Sequence, residues 1–155
     1  MQEAIERVRR ALLAAGHADT IAAFAEGTHT AQEAAASVGC SVAQIAKSIV
    51  FRAGDTPVLV IASGANRIDR AKVGAALGRK VERADPAWVA AVTGFSVGGV
   101  APVGHRTAPL VLVDEDLLGL DPLWAAAGSP MHAFRTTAAD LIGITGGQAR
   151  DVKAV

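Results

Sequence analysis

Apolar residues Ala4, Ile5, Val8, Ala11, Leu12 and Ala15 recur at helical spacing, while Glu3, Glu6, Arg7, Arg9 and Arg10 take the other faces. That period predicts an amphipathic helix over 2–15, closed by Gly16. Thr30 followed by Glu33 forms a capping-box pattern, AQEAAASV supplies helix formers, and Gly39 is placed to end a second helix. Ser41 with Gln44 repeats the capping pattern for a short helical turn, after which Ser48, Ile49, Val50 and Phe51 turn the composition strand-like. Lys47 therefore falls at a helix-to-strand junction. PVLVIAS at 57–63 is an apolar, β-branched run that predicts a buried strand, broken by Gly64-Ala65-Asn66, and Asp69 is placed to cap a helix through Leu77.

The second half is less regular. DPAWVAAV at 85–92 has the Asp-Pro start of a short helix, whereas TGFSVGGVAPVGH carries glycines and a proline dense enough to require a loop. PLVLVDE at 109–115 reads as another buried strand, DPLWAAAG as a helical turn, and HAFRTT as a last, weakly alternating strand. A closing helix is expected from Thr137, with Asp140 at its third position and Gly146-Gly147 at its end. Strands mixed with helices throughout, without repeat or linker, predict one α/β-type domain over 1–155.

Composition limits the functional classes. At 155 residues, with 51% hydrophobic and 19% charged side chains, the chain is too apolar for disorder and long enough to bury about two-thirds of its surface. The longest nearly uncharged stretch, 84–105, is interrupted by glycines and prolines, and MQEAIERVRR lacks a signal-peptide h-region, so a cytoplasmic protein with no membrane partner is expected. A single cysteine, Cys40, precludes an internal disulfide, and no His/Cys spacing suits zinc; neither metal nor cofactor is expected. Net charge is zero, yet residues 47–106 hold nine basic and four acidic side chains, a clustering suited either to phosphate binding or to a solvated mixed face. The absence of Tyr argues against a base-stacking sheet.

Three places carry candidate chemistry. Gly94-Phe95-Ser96-Val97-Gly98 satisfies G-x-S-x-G, and Asp114 and His132 follow in hydrolase order. A nucleophile elbow needs a strand before Ser96 and a helix after it; here a helix precedes, and Gly98, Gly99 and Pro102 oppose one following. The same glycines permit a different device, in which the stretch Gly98-Gly99-Val100-Ala101-Pro102 exposes consecutive N–H groups ahead of the proline as a concave nest for a carbonyl oxygen or oxyanion, the alternative being a tight helix-to-strand connection. Lys47 is either a point charge for a phosphate or carboxylate, or a solvated residue complementing the turn before it. Among the histidines, His17 and His29 lie near predicted helix ends, as caps or surface residues, and His105 follows the loop. His132, beside the Gly128-Ser129-Pro130 turn, is the candidate pocket residue. Cys40 reads as a small buried hydrophobe.

Taken together, THTAQEAAASVGCSVAQIAKSIVF, SVGGVAPVGH and GSPMHAFRTTAADLIGITGG resemble the YbaK-type family, the free-standing relatives of the prolyl-tRNA synthetase editing domain. The resemblance runs from about residue 20 onward. It implies a strongly curved mixed β-sheet, partly closed into a barrel and flanked by helices, and hydrolysis of the ester joining a wrong amino acid to tRNA, usually tRNA for proline, with transient association with prolyl-tRNA synthetase. Lys47 matches the family lysine that holds the terminal adenosine or aminoacyl group. Gly98, Gly99 and Pro102 match the G-x-x-x-P loop that orients ester carbonyl and water, with Val100, Ala101, Ser129 and His132 expected against the substrate. GSPMHAF departs from the segments of both cysteine-specific and alanine-specific members. Arg67, Arg70 and Lys72 are expected at the tRNA backbone from charge and clustering alone. Two rivals remain open: a non-catalytic aminoacyl-tRNA or amino-acid binding module, and a serine esterase using Ser96.

Overall fold

A computed structural model describes residues 2–24 and 30–155, so His29 lies outside the described residues. Helix α1 (Gln2–Ala14) buries Ala4, Ile5, Val8 and Leu12, the stripe set by its period. The short strand β1 (Ile21–Ala23) precedes α2 (Ala31–Val38), whose first turn is capped by Thr30 Oγ1 accepting from Glu33 N at 3.1 Å. A 3-10 turn at Val42–Gln44 leads into β2 (Ile45–Ala53), and β3 (Thr56–Ser63) returns antiparallel to it. Next come α3 (Arg70–Leu77), capped by Asp69, then β4 (Glu82–Arg83) and α4 (Pro86–Thr93), capped by Asp85. The Gly-rich loop then reaches β5 (Leu110–Asp114), a 3-10 turn at Glu115–Gly119, β6 (Leu123–Ser129), β7 (His132–Thr136), α5 (Ala138–Thr145) and β8 (Gln148–Arg150).

The strands form one mixed sheet in the order β1-β7-β6-β2-β3-β5-β8, with β4 added beside β2. Its two edges, β1 and β8, do not meet, so the sheet is an open path and not a closed barrel. β3 is central and buried on both faces: Leu59 and Ile61 point to the main core with α1 and α5, while Val58 and Val60 join Val73, Leu112 and Val152 on the other face.

One element differs in kind from its sequence reading. DPLWAAAG is not a helical turn; Leu123–Ser129 is strand β6, paired with both β2 and β7. Its alanines carry little β preference, but their small side chains let α1 lie close across the strand, so tertiary packing overrides local propensity. No helix among the described residues is long and apolar enough to cross a membrane.

Candidate active site

The cleft arises from a gap in strand pairing. On the side of β2 away from β3, β6 pairs only at Ile45 and Ala46 and β4 only at Phe51 and Arg52, leaving the edge from Lys47 to Val50 unpaired among the described residues. A cavity of about 260 Å³ occupies the space between diverging β2 and β6. Its apolar wall includes Ala34, Val38, Ile45 and Trp124, and its polar rim includes Thr30, Lys47, Ser48 and His132, with Gly98 and Val100 above. Such a mixture of apolar wall and few convergent polar groups is typical of small-molecule sites. The hydroxyl of Ser48 is buried without a hydrogen-bond partner among the described residues, leaving one polar atom at the cleft for an occupant.

Lys47 lies within β2, two residues past its start, opposite Ala62. Its Nζ donates to the Asn66 carbonyl at 2.5 Å. Asn66 is itself held: its Nδ2 donates to Asp114 Oδ2 and to Asp116 Oδ2, each at 2.8 Å. Asp114 is fully buried and also accepts from Ser63 N at 3.1 Å and Asp116 N at 3.0 Å. Burial lowers the Lys47 ammonium below the ordinary lysine range; Asp114 opposes that shift, and the positive charge of nearby Arg67 adds to it. The lysine is thus a partly desolvated cation held at the cleft by a turn whose anchor is a buried carboxylate.

The opposite wall is backbone. Gly98 has φ +94°, a region that favours glycine, and the Gly99 N–H closes a turn onto the Ser96 carbonyl at 3.0 Å. The Gly98 and Val100 N–H groups meet no acceptor among the described residues, although Val100 is buried and both residues line the cleft. Gly99 lies directly on Ser129, where an added Cβ would come 2.9 Å from the Ser129 Cα. His105 fastens the loop's far side, its Nε2 donating to the Ala101 carbonyl at 2.6 Å while its ring meets Phe95 edge-on. Ser129 Oγ bonds His132 Nδ1 at 2.7 Å and accepts from Met131 N at 3.0 Å.

Of the residues anticipated from sequence, Lys47, Gly98, Val100, Ser129 and His132 converge on one cleft, with Gly99 packed behind. Ala101 and Pro102 are buried in support of the loop and are absent from the cleft's lining. The serine triad is not assembled: Asp114 is bonded to Ser63, Asn66 and Asp116, the Nδ1 of His132 is bonded to Ser129, and exposed Ser96 follows a helix with no helix after it. His17 is neither cap nor surface residue but buried, bonding Ala18 O at 2.6 Å and Thr136 Oγ1 at 2.9 Å. Cys40 is half-buried, and burial pushes its thiol up, away from nucleophile behaviour. Lys72 is already bonded to Asp151 at 2.9 Å and to the Lys153 carbonyl at 2.7 Å, whereas Arg67 and Arg70 are exposed. Asn66, as the acceptor for Lys47, escaped the sequence reading; the only signal was an amide side chain in the Gly-Ala-Asn break. No group of three or more His, Cys, Asp or Glu residues suited to a metal occurs among the described residues.

The aminoacyl-tRNA editing domain model matches residues 25–144. The chain belongs to that family. Over 119 residues this editing domain is 34% identical to the uncharacterized protein YwhH of Bacillus subtilis (strain 168), a match spanning 76% of each chain. Over 115 residues it is 31% identical to the proline–tRNA ligase of Lactobacillus helveticus (strain DPC 4571), spanning 74% of this chain but 20% of the ligase. A crystal structure provisionally assigned as a trans-editing enzyme for prolyl tRNA synthetase superposes with a TM-score of 0.93 at 40% identity, over 98% of both chains. The hypothetical protein APE2540 superposes with a TM-score of 0.88 at 26% identity, over 96% of this chain and 99% of that one. The family resemblance carried by the three sequence segments is thereby confirmed.

Proposed function

We propose that this editing-domain protein is a trans-acting aminoacyl-tRNA deacylase, hydrolysing the ester of tRNA for proline charged with a small non-cognate amino acid. The observation that carries the reading is the confrontation, across one cleft, of a partly desolvated ammonium at Lys47 with the N–H groups of Gly98 and Val100, which meet no acceptor among the described residues. Membership of the editing family and likeness to a trans-editing assignment support it.

An aminoacyl ester is activated, so its hydrolysis needs polarisation and placement more than a protein nucleophile. In this reading the amides of Gly98 and Val100 receive the carbonyl oxygen, which becomes an oxyanion as water adds to the carbonyl carbon. The ester C–O bond then breaks, the terminal ribose oxygen leaves as a hydroxyl with a proton derived from the water, and free amino acid and tRNA result. Lys47 holds the terminal adenosine end or aminoacyl group, and Ser129 and His132 border the amino-acid side chain. Gly99, Ala101 and Pro102 fix the loop's shape, and exposed Arg67 and Arg70 meet tRNA phosphates. Such an activity belongs in the cytoplasm beside prolyl-tRNA synthetase.

The test is deacylation of tRNA for proline charged separately with alanine, cysteine, serine and proline. The expected result is rapid loss of one mischarged ester, sparing prolyl-tRNA, with Lys47→Ala slower by about a hundredfold. Binding of charged tRNA without hydrolysis of any ester would replace the deacylase with a binding module. Hydrolysis indifferent to Lys47→Ala would remove the site.

A further inference from the structure

We infer that helix α1 is a working part of this cleft and that Arg7 is a positioning residue for the Gly-rich loop. Residues 2–14 precede the 25–144 segment matched by the family model, so the family match alone gives them no role. The inference rests on the deacylase reading for its kinetic consequence, though not for its structural one.

Arg7 holds both ends of the loop at once. Its side chain is only 16% exposed, its Nε donates to the Gly104 carbonyl at 2.6 Å, and its Nη2 donates to the Gly94 carbonyl at 2.8 Å. Between those carbonyls runs the stretch that carries Gly98 and Val100. The guanidinium carbon sits 4.6 Å from the centroid of the Phe95 ring, and Nη1 is gripped by both Glu3 carboxylate oxygens at 2.7 Å. A planar fork with separate, fixed N–H directions can span two carbonyls and stack on a ring simultaneously; a lysine ammonium cannot. The same helix also touches the other wall. An added Cβ on Gly128, where φ is +98°, would lie 2.9 Å from the Ala4 carbonyl carbon and 3.1 Å from Ile5 N. Gly128 precedes Ser129, the residue on which Gly99 rests. One helix therefore braces the loop through Arg7 and the β6–β7 wall through the Ala4–Ile5 backbone. Displacement of a catalytic group by about 1 Å is enough to cost about a hundredfold in rate.

The test compares wild type, Arg7→Ala and Arg7→Lys in the full chain by two readouts. Hydrogen exchange is expected to accelerate in peptides covering 94–104 in both variants, with 56–63 in central β3 unchanged. In deacylation, kcat is expected to fall about tenfold to a hundredfold with KM changed less than about twofold, guanidinium at sub-denaturing concentration restoring Arg7→Ala, and Arg7→Lys failing to match wild type. Unchanged exchange in 94–104, or acceleration spread evenly over the chain, overturns the inference, as does a wild-type kcat in both variants. If Arg7→Ala does not fold, Arg7→Lys decides by the same criteria. A wild type that hydrolyses no mischarged tRNA removes the deacylase reading, and the exchange readout then decides the bracing role by itself.

Discussion

Lys47 and His105 are both shifted by burial in the direction that favours the neutral form, with different consequences. For Lys47 the consequence bears on the proposed deacylation. If its ammonium engages the substrate, deacylation corrected for spontaneous ester hydrolysis falls as pH rises through a limb lying below the ordinary lysine range. Lys47→Arg, which keeps its charge, removes that limb from whatever activity it retains. A limb that persists in Lys47→Arg assigns it to another group. For His105 the consequence is stability. Burial, and secondarily the charge of Arg7, lowers its pKa in the fold, outweighing the opposing Ala101 hydrogen bond. The unfolded chain therefore binds the proton more readily, so the stabilising difference is present above the ordinary value near 6.5 and is lost as pH falls toward the folded value. Denaturant unfolding at pH 7.5 and pH 5 is expected to show a larger loss for wild type than for His105→Gln. Equal losses would mean that the imidazole is not the titrating group.

At the scale of elements, some glycines, Gly99 and Gly128 among them, mark places where two segments approach too closely for any side chain. Gly99→Ala puts its Cβ 2.9 Å from the Ser129 Cα, and backbone on both sides leaves nothing flexible to yield. The expected cost is about 1–3 kcal/mol in chemical unfolding, together with loss of deacylation if the displaced loop carries the amides proposed to bind the ester carbonyl. An active, undestabilised Gly99→Ala would separate the loop's shape from the chemistry. The Gly-rich loop was legible as a local motif, whereas its relation to Lys47, far away in sequence, came only through the family resemblance. Also legible were α1, α2, α3, α4 and α5, each announced by its apolar period or by caps at Thr30, Asp69, Asp85 and Thr137. The strands β1, β4 and β8 have three residues or fewer, too few to display a period of two, and exist through their pairing partners. The Ala-rich strand β6 misled for the opposite reason, its local preference being helical and its environment decisive. Within the site, Asn66 with Asp114, and Arg7 with Gly94 and Gly104, were invisible because each pairing joins residues 48 or more positions apart.

For the whole molecule, zero net charge means that attraction to a polyanion must come from where the charges lie rather than from how many there are. The basic stretch from 47 to 106 is divided by the fold into committed and uncommitted members. Lys72 is bonded to Asp151 and the Lys153 carbonyl, and Lys153 in turn meets Asp116 at 3.2 Å, so this part of the surface is already neutralised. Arg67 is different: it is exposed, close enough to Lys47 to depress that lysine's ionisation, and its carbonyl is fixed by Ala154 N at 2.8 Å. Arg70, exposed at the first position of α3, follows on the same segment. If the nucleic acid approaches Lys47 past these two arginines, each phosphate contact made there releases counterions. Binding of uncharged tRNA, measured over a salt series, should therefore weaken with a slope that falls by about 0.7 for each phosphate contact removed. Arg67→Ala and Arg70→Ala are each expected to reduce that slope, whereas Lys72→Ala leaves it near wild type because its charge is already spent within the fold. The reverse order, with Lys72→Ala reducing the slope and Arg67→Ala not, would place the nucleic acid along the surface shared by Lys72, Asp151 and Lys153 instead of beside Arg67.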